Sequence, residues 1–144
     1  MNIKLAALAA LLLASGQAMA EDVRVDCVTD QSLGCRDDET TCLPFKGSAT
    51  YHFEIDLTKK TGSLVFCKHG SDCMKPSPLT VVKDLCRNFG VPDCLLASIG
   101  GIRLWEPIQE TAYTISNSRF VWTTSDIIES QSTSYTGFGH CTVR

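Results

Sequence analysis

His52, Glu54 and Asp56 stand at alternate positions of the stretch Ala49 to Leu57, which reads ATYHFEIDL. Side chains alternate across a strand, so all three share one face, about 6.5 to 7 Å apart in succession. Imidazole with carboxylates is a donor set for a metal ion or an acid/base pair. This row is therefore the first place to look for activity. The plainer reading is the wet face of a half-buried strand, because alternation alone produces a polar row. His69 and His140 add imidazoles, and serines are plentiful. The chain has no Gly-x-Ser-x-Gly elbow to raise a serine into a nucleophile.

The eight cysteines are Cys27, Cys35, Cys42, Cys67, Cys73, Cys86, Cys94 and Cys141. No two form the Cys-x-x-Cys pair that brings zinc ligands together. An even set in an exported chain reads as a disulfide framework, and oxidised cysteines supply no thiolate nucleophile. Four bridges allow 105 connectivities, and spacing does not choose among them. No catalytic, cofactor-binding or metal residue is assigned, and no cofactor is expected.

Tyr51, Phe53, Ile55 and Leu57 alternate with the polar row. The apolar run Leu64 to Cys67 follows the linker Thr58 to Ser63, so a β-hairpin is expected, with Gly62 supplying positive φ. Upstream, Val23 to Val25 reads as a short strand, and the polar remainder to Pro44 as a loop held by Cys27, Cys35 and Cys42. The acids Asp37, Asp38 and Glu39 lack the ligand order of a calcium loop. Ser77-Pro78 has the form of an N-cap and first helical position. Leu79, Val82, Leu85, Cys86 and Phe89 recur at helical spacing before Gly90, so the spacing predicts a helix over 78–89. Asp93 to Ile99 reads as a further helical turn.

Strands resume at Ile102 to Trp105, Ala112 to Ser116, Arg119 to Thr124 and Ile127 to Ile128, with Asn117-Ser118 as a tight turn. Gly137 and Gly139 point to a bulge or a close backbone crossing before Cys141 is tied far upstream. The expected fold is mainly β with a helical insertion (α+β). It is an antiparallel meander, curved into a small sheet or barrel and stapled by disulfides.

The first twenty residues read as a Sec-type signal. Lys4 is followed by an apolar stretch from Leu5 to Ala14, and Ala18-Met19-Ala20 has the small-x-small pattern for cleavage after Ala20. Such a run is too short for a membrane-spanning helix, which needs about 20 residues. Residues 21–144 then form one disulfide-rich domain in the periplasm or the medium. Lys4 is the only charge in the leader, so 12 basic and 16 acidic residues remain, a net charge of −4. That balance argues against a nucleic-acid partner, whose phosphates are bound by Lys and Arg, and none is expected.

Tyr51-x-Phe53-x-Ile55-Asp56-Leu57, Thr61-Gly62 and the terminal Gly137-x-Gly139-x-Cys141 resemble the layout of small exported bacterial β-proteins of uncharacterised function, over residues 48–141. The resemblance transfers no functional residue, and the additional cysteines depart from simpler members. Three functions fit the chain. One is a binding or inhibitory module with a protein partner in the envelope or medium. A second is a small secreted hydrolase using His52 with Glu54 or Asp56, and a third is a passive envelope or surface component.

Overall fold

The computed structural model describes residues 22–36, 41–45, 47–68, 70–84, 101–116, 118–128 and 131–144. Ten strands follow in order: β1 (Asp22–Arg36), β2 (Leu43–Phe45), β3 (Ala49–Asp56), β4 (Thr61–Lys68), β5 (Asp72–Cys73), β6 (Ser77–Asp84), β7 (Ile102–Glu106), β8 (Thr111–Ser116), β9 (Arg119–Ile128) and β10 (Gln131–Val143). Eight of them, β1, β3, β4, β6, β7, β8, β9 and β10, pair antiparallel each with the next, and β10 returns to pair with β1. The result is a closed up-and-down barrel, in which closure removes the long free edges that an open meander would leave. β2 and β5 are short additions to β1 and β4.

An eight-stranded barrel is just wide enough for its inward side chains to fill. Here Val23, Val25, Phe53, Ile55, Leu64, Leu79, Ile102, Leu104, Tyr113, Ile115 and Phe120 do so. Aromatic rings dominate the centre. Phe53 and Tyr113 meet edge to face at 5.4 Å, and Tyr51 and Phe120 lie 4.9 Å apart. Such pairs add about 0.5 to 1.5 kcal/mol each to the burial of the rings. The outer wall carries Arg24, Glu54, Lys83, Arg103 and Arg119, all exposed. Charge therefore stands where a membrane barrel would carry its apolar band. No helix among the described residues is long and apolar enough to cross a membrane.

Among the described residues the fold is all β, and the helical insertion is corrected over 77–84, where β6 stands. Leu79 and Val81 are buried, whereas Pro78, Thr80 and Val82 are exposed, a period of two. The helical spacing of Leu79, Val82 and Leu85 competed with the alternation through β-branched Val81. Ladder bonds to β4 on one side and β7 on the other decided the outcome. Val82 thus faces outward by alternation, which makes the helical pattern coincidental, and the register shift between Val81 and Lys83 leaves Lys83 exposed as well. Residues 85–89 and the turn expected at Asp93 to Ile99 lie outside the described residues, as does the leader 1–20.

Two further expectations change. The loop expected from Asp26 to Pro44 is largely strand, because β1 runs for 15 residues and pairs with β10 from Val25 to Arg36. Its polar composition reflects an outer face made of ion pairs. In the β3–β4 turn it is Lys60, not Gly62, that takes positive φ, at 57°. Gly62 lies within β4, where a Cβ would come within 2.6 Å of the Glu54 carbonyl oxygen. Its small size serves close strand approach.

Among the described residues three disulfides join Cys27 to Cys141, Cys35 to Cys42 and Cys67 to Cys73. Cys86 and Cys94 lie outside the described residues. The first bridge spans 114 positions and rivets β1 to β10 where the barrel closes. The other two span 7 and 6 positions and pin turns at one rim. Bridges of this kind persist in an oxidising compartment such as the periplasm or the extracellular medium.

Candidate functional site

The polar row of β3 lies on the outer wall, as its alternation requires, but its three members do not converge. Each is engaged by a different neighbour. His52 is opposite Asp26 of β1, with Nδ1 2.6 Å from Oδ1. The other oxygen of Asp26 pairs with the guanidinium of Arg144 at the chain terminus. Glu54 pairs with Arg24, Oε1 to Nε at 3.2 Å. Asp56 turns to its own hairpin, where its carboxylate accepts from the Lys59 backbone N–H at 2.8 Å and from Nζ at 2.6 Å. The Lys59 hydrogen bond holds the Asp56 carboxyl below its ordinary range, and the same contact raises Lys59.

Antiparallel register explains the arrangement. Asp22 stands opposite Asp56, Arg24 opposite Glu54 and Asp26 opposite His52. Directly opposed side chains meet at about 5 Å, so Arg24 with Glu54 and Asp26 with His52 form complementary rungs across the two strands, whereas Asp56, opposite a second acid, turns to Lys59 instead. Beside them Asp22, Arg24, Glu54, Asp56 and Ser63 border a shallow hollow of about 240 Å³. On its other side His52 is opposite Val65 of β4, which offers no nucleophile. Among the described residues no three His, Cys, Asp or Glu side chains group as a metal site requires.

His140 sits on the same side of the closure. Its Nδ1 lies 3.0 Å from Asp30, which occupies the bulge between Thr29 and Gln31 of β1. Opposite that bulge, a Cβ on Gly139 would come within 2.0 Å of the Val28 carbonyl oxygen. The glycine is what lets β10 pass the bulge. His69 lies outside the described residues.

The other concentration of chemistry is at the end of the barrel where β1, β9 and β10 overrun their neighbours. β8 pairs with β9 only as far as Thr123, whereas β9 and β10 continue to Ile128 and Gln131. β1 continues with them to Arg36, and β2 is added along Ser32 to Gly34. A four-stranded lip, in the order β2, β1, β10, β9, projects from the rim. On the face continuous with the barrel interior, Phe45 and Tyr135 meet edge to face at 6.0 Å across Gly34. A Cβ on Gly34 would reach within 3.2 Å of the Tyr135 ring. Leu43 and Phe45 remain 61% and 41% exposed, although they are large and apolar.

Below the lip the interior is closed by Trp122, whose ring occupies the space above Gly137 and whose Nε1 donates to Thr29 Oγ1 at 3.4 Å. Burial pushes the Tyr51 hydroxyl up to about 12, with Thr29 exerting a smaller opposing effect. Burial likewise raises Tyr113. Trp105 of β7, by contrast, stands 37% exposed on the outer wall.

Glu106 is a buried carboxylate that the sequence reading did not single out. It is 1% exposed and accepts backbone N–H bonds from Ile108 at 3.0 Å and Gln109 at 2.8 Å. It thereby shapes the β7–β8 turn. That turn places Ile108, Gln109 and Glu110 against Thr124, Ser125 and Tyr135 of the lip, around a groove of about 450 Å³. The sequence signal was Glu106-Pro107 after an apolar strand, an acceptor placed just ahead of a turn.

The chain matches no protein-family model, no curated protein and no solved structure.

Proposed function

We propose that the chain is an exported binding or inhibitory module of the bacterial envelope, delivered by the leader that ends at Ala20, with a protein rather than a small substrate as its partner. The observation that carries this reading is the lip. A barrel closed by a disulfide supports a projecting sheet on which Leu43 and Phe45 stay exposed. Apolar side chains displayed together on a rigid support suit a partner surface, since a pre-ordered element loses little entropy on binding. Acidic, basic and imidazole groups of the outer wall are meanwhile engaged with one another.

A hydrolase centred on His52 is the second reading, favoured by the 2.6 Å contact with Asp26, an acid that could orient an imidazole. The two are separated by one experiment on the disulfide-intact protein. Capture from envelope and medium fractions, with increasing bait, is expected to retain one partner saturably, and a broad hydrolase screen is expected to stay at background. Turnover that disappears in His52→Ala would replace the binding reading.

A further inference from the structure

The lip contains a strand edge with no partner strand among the described residues. The β8–β9 hairpin closes on Ser116 opposite Arg119, with two residues between them. Such a closing pair exchanges both backbone hydrogen bonds, and bonded pairs then alternate along the ladder. Arg119, Val121 and Thr123 therefore turn their N–H and C=O groups toward β8. The β9–β10 hairpin closes on Ile128 opposite Gln131. By the same alternation, Thr124, Asp126 and Ile128 bond to β10. The backbone groups of Ser125 and Ile127 consequently point to the side where β8 would continue. β8 begins at Thr111, and before it the chain turns away through 107–110. Among the described residues no strand meets these two N–H and two C=O groups, and Ser125 borders the groove formed with Ile108, Gln109, Glu110, Thr124 and Tyr135.

Free strand edges recruit strands, and the charge here selects which. From Glu106 to Ser134 the sequence has four acids, and its one base, Arg119, begins β9 at the opposite end. Glu110 is on the groove itself, with Ile108 beside it 70% exposed. A second copy pairing edge to edge would bring acid against acid, whereas a basic strand would be attracted.

We propose that the β9 edge at Ser125 and Ile127 accepts an extended basic peptide segment of the partner, which adds a strand to the lip, sets an apolar side chain against Ile108 and Tyr135, and presents Lys or Arg to Glu110. This rests on the binding-module reading and names the partner's docking chemistry.

The test is a titration of the isotope-labelled, disulfide-intact protein, followed by amide resonances, with a blocked hexapeptide of alternating Lys and Val. Saturable shifts centred on Ser125, Ile127 and Glu110 are expected. A Glu and Val counterpart should bind at least tenfold more weakly, and alternate backbone N-methylation of the Lys peptide should abolish binding. Ser125→Pro removes one edge donor without touching the β10 ladder, and should weaken binding at least tenfold. If that variant does not fold, Ile127→Pro and the methylated peptide decide the matter on a folded protein. Absent binding, shifts centred elsewhere, indifference to methylation, or a wild-type dimer broken by Ser125→Pro would each overturn the proposal. Saturable capture of an envelope protein that protects another face would overturn the β9 site while leaving the binding module standing.

Discussion

Cys27 and Cys141 face each other across the closure of the barrel, bonded to one another with 114 positions between them. The first and last barrel strands meet there, at the contact most costly in chain entropy. A cross-link over so long a loop restricts the unfolded chain by about 5 kcal/mol, against about 2 for the short loops at Cys35–Cys42 and Cys67–Cys73. Replacing Cys27 and Cys141 together by Ala should therefore lower unfolding free energy by roughly twice as much as replacing Cys67 and Cys73. Urea denaturation of both double variants checks the ranking, and equal losses would contradict it.

The glycines of β10 give a second ranking. A Cβ at Gly139 would strike the backbone oxygen of Val28, and one at Gly137 the Trp122 ring, each at 2.0 Å. Backbone on a closed ladder cannot move aside, so Gly139→Ala should cost about 3 kcal/mol or more, at the upper end for overpacking. Gly137→Ala should cost less and shift Trp122 fluorescence as the ring leaves its seat. Gly47→Ala, with nothing within 4 Å, should change the melting temperature little.

Buried tyrosines make stability fall at high pH. Tyr51 is held neutral to about 12 by burial, above its ordinary value of 10.0, and Tyr113 is raised too. The unfolded chain loses these protons first. Their contribution is therefore complete below pH 10 and is lost as pH rises to 12. For Tyr51 alone the loss is on the order of 3 kcal/mol. Denaturant midpoints measured across this interval should decline, and more shallowly in Tyr51→Phe. An unchanged slope in that variant would contradict the assignment.

The ladder of charges on β1 and β3 is expected to matter little to stability. His52→Ala and Glu54→Ala should each change it by less than about 1 kcal/mol, because exposed cross-strand pairs contribute that much at most. Thermal melts of the two variants check this. A collapse of the fold in either would mean that the row does more than pair neighbouring strands.

Legibility of the fold followed the range of the interactions involved. Tyr51, Phe53 and Ile55 declared an inward face through their spacing alone, and all three are buried. The glycines at 137 and 139 marked two tight places on β10, the seat of the Trp122 ring and the passage past Val28 of β1, because only a missing side chain suits either. The β6 segment was misread because Pro78 and the repeat of Leu79 and Val82 are local signals, whereas β4 and β7, which flank it, are remote in sequence. The length of β1 was hidden for a similar reason, since its polar outer residues find opposite charges on β3 only once the strands are in register. Disulfide partners and the overrun of β9 also arise from register. The polar row was visible, but its separate partners Asp26, Arg24 and Lys59 were not.

The distinction between a structural outer wall and a binding lip is tested most directly by amide hydrogen exchange of the disulfide-intact protein, alone and with the partner captured from the envelope. Added protection is predicted at Leu43 and Phe45 and at Ser125 and Ile127, with none across Arg24, His52 and Glu54. Protection confined to those three, or no change anywhere on the lip at saturation, would contradict it.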